Sequence, residues 1–274
     1  MLYLICTPIG NLNDFSLRSI NTLKEVKNIF AEDTRVAAKL LKHFDIQKKT
    51  QPFHEHNEKE ACEAIIKLLH EGSSIAILSD AGAPLISDPG YPLIQKCIKE
   101  NLSFTVLPGP SAVINAVILS GLPSNKFTFN GFLPKQYEAK RQIAVKLKNS
   151  NLTNIFFESA KRIDKTISIF FEVLNPNTQI AICREMTKEY ESIYRGTIQE
   201  IQGLLNSNEI PLLGEFVVLV HPDSADGELF DLDESFCQHF LEYLSPTEAS
   251  KLIAKITSSS KQEVYKFLLS ISKH

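Results

Sequence analysis

Several kinds of protein are set aside by what this chain of 274 residues lacks. It has no apolar run approaching the roughly 18 residues that a membrane-spanning helix needs, so no helical membrane span is expected. Its five cysteines (Cys6, Cys62, Cys97, Cys183 and Cys237) are odd in number, scattered and never spaced as CxxC. That pattern gives no sign of a disulfide framework or a metal site, and it suits thiols in a reducing compartment. Net charge is only −3, without the basic excess of a general nucleic-acid binder. There is no GxGxxG, P-loop or HExxH signature, which argues against the familiar dinucleotide, nucleotide and zinc sites. The opening MLYLICTPIGN lacks the basic start and cleavage pattern of a signal peptide. It is expected to form a first strand in a cytoplasmic protein.

What is present is ordinary globular composition, 43% apolar and 22% charged, in a length that suits two domains. The first 120 or so residues alternate short apolar runs with helical patterns. LYLICT, NIFAE, IAIL and FTVL read as strands, and helices carry Leu17, Ile20 and Leu23, then Val36, Leu40 and Leu41. Asn57 with Glu60 reads as a capping signature for a helix reaching Leu69, and Ser111 opens an apolar helix to Leu119. Strands separated by helices imply a parallel sheet covered on both faces.

After Gly121-Leu-Pro123 the pattern changes. KFTFNGFL, NIFFE, QIAICRE and EFVVLV read as strands, with helices from about Tyr137, over 163–173 and near 198–205. Two consecutive extended pieces, 179–185 and 189–195, require antiparallel pairing, so this half is a mixed sheet. HPDSADGE (His221 to Glu228) reads as a polar linker, and the remainder is helical. Ser245-Pro246-Thr247-Glu248 and Ser260 with Glu263 are capping boxes. The expected organisation is therefore an α/β protein of three parts: a parallel-sheet domain (1–120), a mixed-sheet domain (121–222) and a helical C-terminal appendage (229–274).

Five loops follow the first strands: TPIGN, AEDTR, HEHNE, SDAGAP and PGPSA. Right-handed crossovers gather them on the carboxyl edge of the sheet, where ligands bind in such folds. Singly each is ambiguous. Asp33 can simply cap a helix and Ser111 another, and Pro-Gly pairs punctuate chains everywhere. His54 and His56, two apart, would face the same way on an extended segment, as metal ligands with Asp80 and Asp88 or as hydrogen-bonding groups. Asp88, Pro89 and Gly90 read as a turn into the next helix. Basic strips at Lys135, Lys140, Arg141, Lys146 and Lys148, and at Lys161, Arg162 and Lys165, are solvated helix faces or phosphate contacts.

In this order, TPIGNL, AEDTR, HEHNE, SDAGAPLISDPGY, PGPSA and GFLPK resemble the tetrapyrrole methylase superfamily, and within it the branch that methylates small-subunit ribosomal RNA. The resemblance runs from Leu2 to about Val220 and continues weakly through the helical tail. It implies two α/β domains with S-adenosylmethionine (SAM) in the cleft between them, and no metal. It implies methylation of a cytidine ribose 2′-hydroxyl in the decoding region of 16S rRNA, within the small ribosomal subunit, by a homodimer. Matched motif by motif, Pro8 lines the cofactor site, and Ser79, Asp80, Ala81 and Gly82 contact the methionine part. Ser111 and Ala112 lie nearby, while Phe157, Arg184 and Glu185 close over the adenosine. Two departures stand out: Ala83 where the branch reads SDAGTP, and Ala160-Lys161 where it reads YESPHR.

Methyl transfer to a hydroxyl requires alignment and removal of a proton. Asp80 is the first candidate for that role, followed by His54, Glu32 and His56. Lys135, Lys140, Arg141, Lys161 and Arg162 are the candidate RNA phosphate contacts. Other readings are methylation of a tetrapyrrole or other small molecule, a metal-dependent hydrolase built on His54, His56, Asp80 and Asp88, and a non-catalytic SAM-binding partner of the ribosome.

Overall fold

The apolar runs of the first half pair side by side in a computed structural model that describes residues 1–222, 234–257 and 259–271. Strands β1 (Leu2–Ile5), β2 (Asn28–Ala31), β3 (Thr50–Pro52), β4 (Ile75–Leu78) and β5 (Phe104–Leu107) form a wholly parallel sheet in the order β3-β2-β4-β1-β5. All four β4 residues are buried, because helices cover both faces. Ile75 and Ile77 pack with Cys62, Ile65 and Leu69 of α3 (Glu58–His70) and with Leu93 and Cys97 of α4 (Tyr91–Lys99). Ala76 and Leu78 point the other way, toward Leu23 of α1 (Leu17–Glu25) and Leu40 and Leu41 of α2 (Thr34–His43).

Asn57 does not cap α3 as its spacing suggests. Its Oδ1 accepts the His54 N–H at 2.8 Å and its amide donates to the Pro52 carbonyl at 3.0 Å. The side chain closes its own loop, a local bond that competes with the helix cap.

Helix α5 (Ala112–Ser120) leaves the first sheet and covers the second. Val113, Ala116 and Val117 pack on Ala181, Cys183, Val217 and Leu219. That second sheet joins β6 (Phe127–Phe132), β7 (Thr153–Ser159), β8 (Gln179–Arg184), β9 (Ser192–Thr197) and β10 (Glu215–His221) in the order β6-β7-β10-β8-β9. Only β6 and β7 are parallel neighbours. Its other face carries α6 (Tyr137–Leu147), α7 (Ile163–Val173) and α8 (Ile198–Asn206) over Phe156, Ile180, Ile182, Phe216 and Val218. The antiparallel pairing expected from the sequence is present, but β9 starts at Ser192. The preceding residues form a turn with Thr187 at φ 66°.

His221 is the last residue of β10 rather than part of a linker, and its Nδ1 lies 3.1 Å from Thr153 Oγ1. Residues 223–233, which include most of the expected linker and the start of the appendage, lie outside the described residues. Beyond them α9 (Glu234–Leu241), α10 (Pro246–Ile256) and α11 (Lys261–Ile271) enclose a small core of Cys237, Ala249, Ile253, Val264 and Leu268. Both capping boxes form, at Ser245–Glu248 and at Ser260–Glu263.

Candidate active site

Parallel pairing places all five loops on the carboxyl edge of the first sheet, and backbone and side-chain hydrogen bonds knit three of them. Thr7 and Gly82 exchange two N–H···O bonds of 2.9 and 3.1 Å, and Ser79 Oγ donates to the Gly82 carbonyl at 2.9 Å. Gly82 has φ 83°, which a side chain would strain. At Gly109 a Cβ would lie 2.8 Å from Cys6 Cβ, so only glycine lets the PGPSA loop approach β1 this closely. The Asp33 N–H donates to Asp80 Oδ1 at 2.9 Å, tying AEDTR to SDAGAP.

Between these loops lies a small pocket whose lining includes Glu32, Phe53, Ser79, Pro84, Asp88 and Pro89. Asp88 Oδ2 is buried there without a hydrogen-bond partner. Burial, then the charges of Glu32 and Asp80, push its carboxyl up to about 7. Burial first and Asp80 second also raise Glu32. Asp88 therefore belongs to the acidic floor of the pocket, not only to the turn into α4. Its neighbours Pro89 and Gly90 do lead into that helix. Local spacing held no signal for this, since the pocket draws Glu32 from one loop and Asp88 from another.

A folded-state pKa raised to about 7 means that the folded chain holds a proton the unfolded chain has lost. The stability from this group is full in acid and lost as pH rises toward that value. Asp88→Asn imitates the neutral acid. Its thermal midpoint should exceed wild type by a few degrees near about pH 8, with a smaller gain near about pH 5. An equal shift at both pH values would show that Asp88 is not held protonated.

His54 sits beside this pocket's Phe53, with its Nδ1 buried and unpartnered and its ring 5.9 Å from that of His56. Among the described residues, no three His, Cys, Asp or Glu side chains gather as a metal-holding group, so His54, His56, Asp80 and Asp88 do not form one.

The second sheet meets this edge directly. The Asn11 N–H donates to Thr187 Oγ1 at 3.2 Å. Ile9, Ala112, Phe157 and Met186 share one apolar cluster. The expected cofactor residues around Pro8, Ser79–Gly82, Ser111–Ala112 and Phe157 are thus drawn toward one junction. The segment at Arg184 and Glu185 lies at the end of β8. The Arg184 side chain is buried, with Nε donating to the Leu213 carbonyl at 2.7 Å and Nη1 to the Tyr190 carbonyl at 3.0 Å. Those bonds hold the side chain within the fold, and the backbone of the segment remains to offer a ligand. Glu185, at φ 51°, pairs with Lys188 at 2.8 Å.

Lys140 is a correction. It is 2% exposed and cannot reach a phosphate. Its Nζ lies 3.1 Å from Glu158 Oε2 and donates to Thr166 Oγ1 at 2.6 Å. Arg162 closes on Glu158 Oε1 at 2.7 Å, so it too is largely committed within the fold. Lys135, Arg141 and Lys161 remain exposed. Part of the signal was in the sequence: Lys140, Ala144 and Leu147 share the buried stripe of α6, and Glu158 lies on the same covered face of β7 as Phe156.

Comparison with known proteins agrees with this architecture. A profile of the family described as Tetrapyrrole (Corrin/Porphyrin) Methylases matches residues 1–202. A protein named Ribosomal RNA small subunit methyltransferase I from Halalkalibacterium halodurans is 41% identical, covering 96% of this chain and 93% of its own. One of the same name from Escherichia coli O157:H7 is 36% identical, covering 98% and 94%. Among solved structures, the methyltransferase CobJ superposes with a TM-score of 0.59 at 16% identity, over 81% of this chain and 94% of that one. The uroporphyrin-III-C-methyltransferase from Thermus thermophilus gives 0.54 at 18%, over 80% and 93%. These two likenesses speak for the fold alone.

Proposed function

Because the chain belongs to the tetrapyrrole (corrin/porphyrin) methylase family, we propose that it transfers a methyl group from SAM to the ribose 2′-hydroxyl of a cytidine in the decoding region of 16S rRNA. The observation that carries this reading is near full-length likeness, at 36–41% identity, to proteins named for small-subunit ribosomal RNA methylation. The site's chemistry supports the cofactor. Glu32 and Asp80 bring negative charge beside Asp88, whose pKa burial and those charges raise and whose Oδ2 has no partner. A ligand carrying an ammonium and a sulfonium offsets that charge. The residues that would hold it are the Pro8 loop, Ser79 to Gly82, Ser111, Ala112, Phe157 and the backbone at Glu185.

SAM brings an already electrophilic methyl group, so the protein's share is alignment and proton removal. Asp80 is the proposed acceptor. One of its oxygens is occupied by the Asp33 N–H, which fixes the carboxylate and leaves the other for the hydroxyl. His54 and Glu32 stand behind it as proton holders. Lys135, Arg141 and Lys161 are the proposed phosphate contacts. The reaction is assigned to the cytoplasm and to a homodimer, with the exposed Val106 of β5 and Ile114 and Ile118 of α5 offering apolar surface to a second copy.

The test is to incubate the protein and SAM with small ribosomal subunits from cells lacking it, then map ribose methylation by mass spectrometry. One new 2′-O-methylcytidine in the decoding region is expected. Methylation of a porphyrinoid but not of the subunit would replace this reading with the small-molecule one.

A further inference from the structure

Phe132 ends β6 on the junction between the two sheets and is 60% exposed. A scattered exposed apolar side chain means little, but this ring is held in place. The register of β6 against β7 shifts between Phe129 and Phe132. Residues three apart on a regular strand face opposite sides. The shift lets both rings meet Phe157, at 4.8 Å for Phe129 and 5.3 Å for Phe132, each edge-on. Next to Phe132, the buried Leu133 is fixed by its N–H to the Phe157 carbonyl at 3.3 Å, and its own carbonyl accepts from Arg162 at 3.5 Å. On the other side, Gly131 adopts φ 66°, and a Cβ there would lie 3.8 Å from Ser87 Oγ. The residue before the ring therefore approaches Ser87 of the SDAGAPLISDPGY loop. Lys135 lies exposed three residues further on, and Lys161 lies exposed beyond the end of β7.

A fixed, exposed aromatic ring, with exposed lysines on the segments that carry it and its partner Phe157, matches how proteins hold unpaired bases, with stacking on the ring and phosphates on the lysines. We propose that Phe132 is a stacking platform for an unpaired nucleobase of the RNA substrate. This deepens the RNA-methylation reading and rests on it. The packing of Phe157 beneath the ring and the hydrogen bonds of Leu133 preorganise the platform, so little side-chain entropy is lost on binding.

The test compares the wild-type protein with Phe132→Ala, Phe132→Leu and Phe132→Trp. A cytidine-containing single-stranded RNA oligonucleotide is titrated by fluorescence anisotropy, and SAM separately by calorimetry. Alanine and leucine should each weaken RNA binding by roughly tenfold or more, from the usual worth of one base stack. Tryptophan should bind like wild type, and SAM affinity should be unchanged in all four. The proposal is overturned if the wild type does not bind the oligonucleotide, if alanine binds it as well as wild type, or if all three variants weaken alike. It is also overturned if alanine weakens SAM rather than RNA, since the ring would then serve the cofactor. Methyl transfer to small subunits is assayed in parallel. Wild-type protein that binds the oligonucleotide in the expected order but transfers no methyl group counts against the proposed reaction, while the stacking platform stands.

Discussion

Asp80→Asn is expected to slow methyl transfer by roughly 10²–10⁴-fold, the usual contribution of a positioned general base, with SAM affinity near wild type. The substitution is clean. Asparagine keeps an oxygen where Asp80 Oδ1 accepts the Asp33 N–H, so the link between the AEDTR and SDAGAP loops survives. What is lost is the carboxylate's capacity to take a proton from the ribose hydroxyl. Single-turnover transfer to small subunits, with the cofactor's dissociation constant measured separately, divides chemistry from binding. Full turnover by the asparagine variant would remove Asp80 as the base and leave it as a loop fastener. Attention would then pass to Glu32, whose raised pKa already marks it as the next proton acceptor on the same edge.

Glu158→Leu is expected to destabilise the second sheet and its helices by about 3–5 kcal/mol, the range for removing one partner of a buried pair. The Glu158 side chain is wholly buried and meets four donors: Lys140 and Thr166 on one oxygen, Arg162 and the Ser159 N–H on the other. Without it, Lys140 Nζ remains in the interior with only a hydroxyl for company. Adding Lys140→Met removes that stranded charge, so the double variant should lose less than the single one. Urea unfolding followed by far-ultraviolet circular dichroism measures both. A Glu158→Leu midpoint equal to wild type would mean that the network contributes nothing to stability. The same arrangement separates fold from recognition: Lys161→Ala should lower the salt dependence of RNA binding by about one counterion's worth. Lys140→Met should not, because Lys140 never meets solvent.

Much was legible in local pattern. Apolar runs such as IAIL became buried strands, the alternation of Phe156 and Glu158 with Ile155 and Phe157 gave the two faces of β7, and Ser-x-x-Glu spacing gave both C-terminal capping boxes. The order of the loops carried the family, because those motifs lie on consecutive crossovers of one parallel sheet. These features depend on a few neighbouring residues and on the periods of helix and strand, which a sequence states outright.

Other features needed contacts between distant elements. The stripe of α6 hinted that Lys140 is buried, but its pairing with Glu158 turned on how α6 sits against β7. Arg184 is spent on carbonyls of a later loop, and Asn57 serves its own turn instead of α3. Asp88 joins the acidic pocket because its loop folds back over Glu32, and Phe132 faces Phe157 because β6 slips register. The sequence by itself determined the elements, their faces and the edge on which the loops collect, since local sterics and hydrophobic periodicity govern these. Only the tertiary structure decided which charges are buried and paired, which carboxyl has its pKa pushed up and which ring is left exposed. Those properties follow from desolvation and from neighbours supplied by remote parts of the chain.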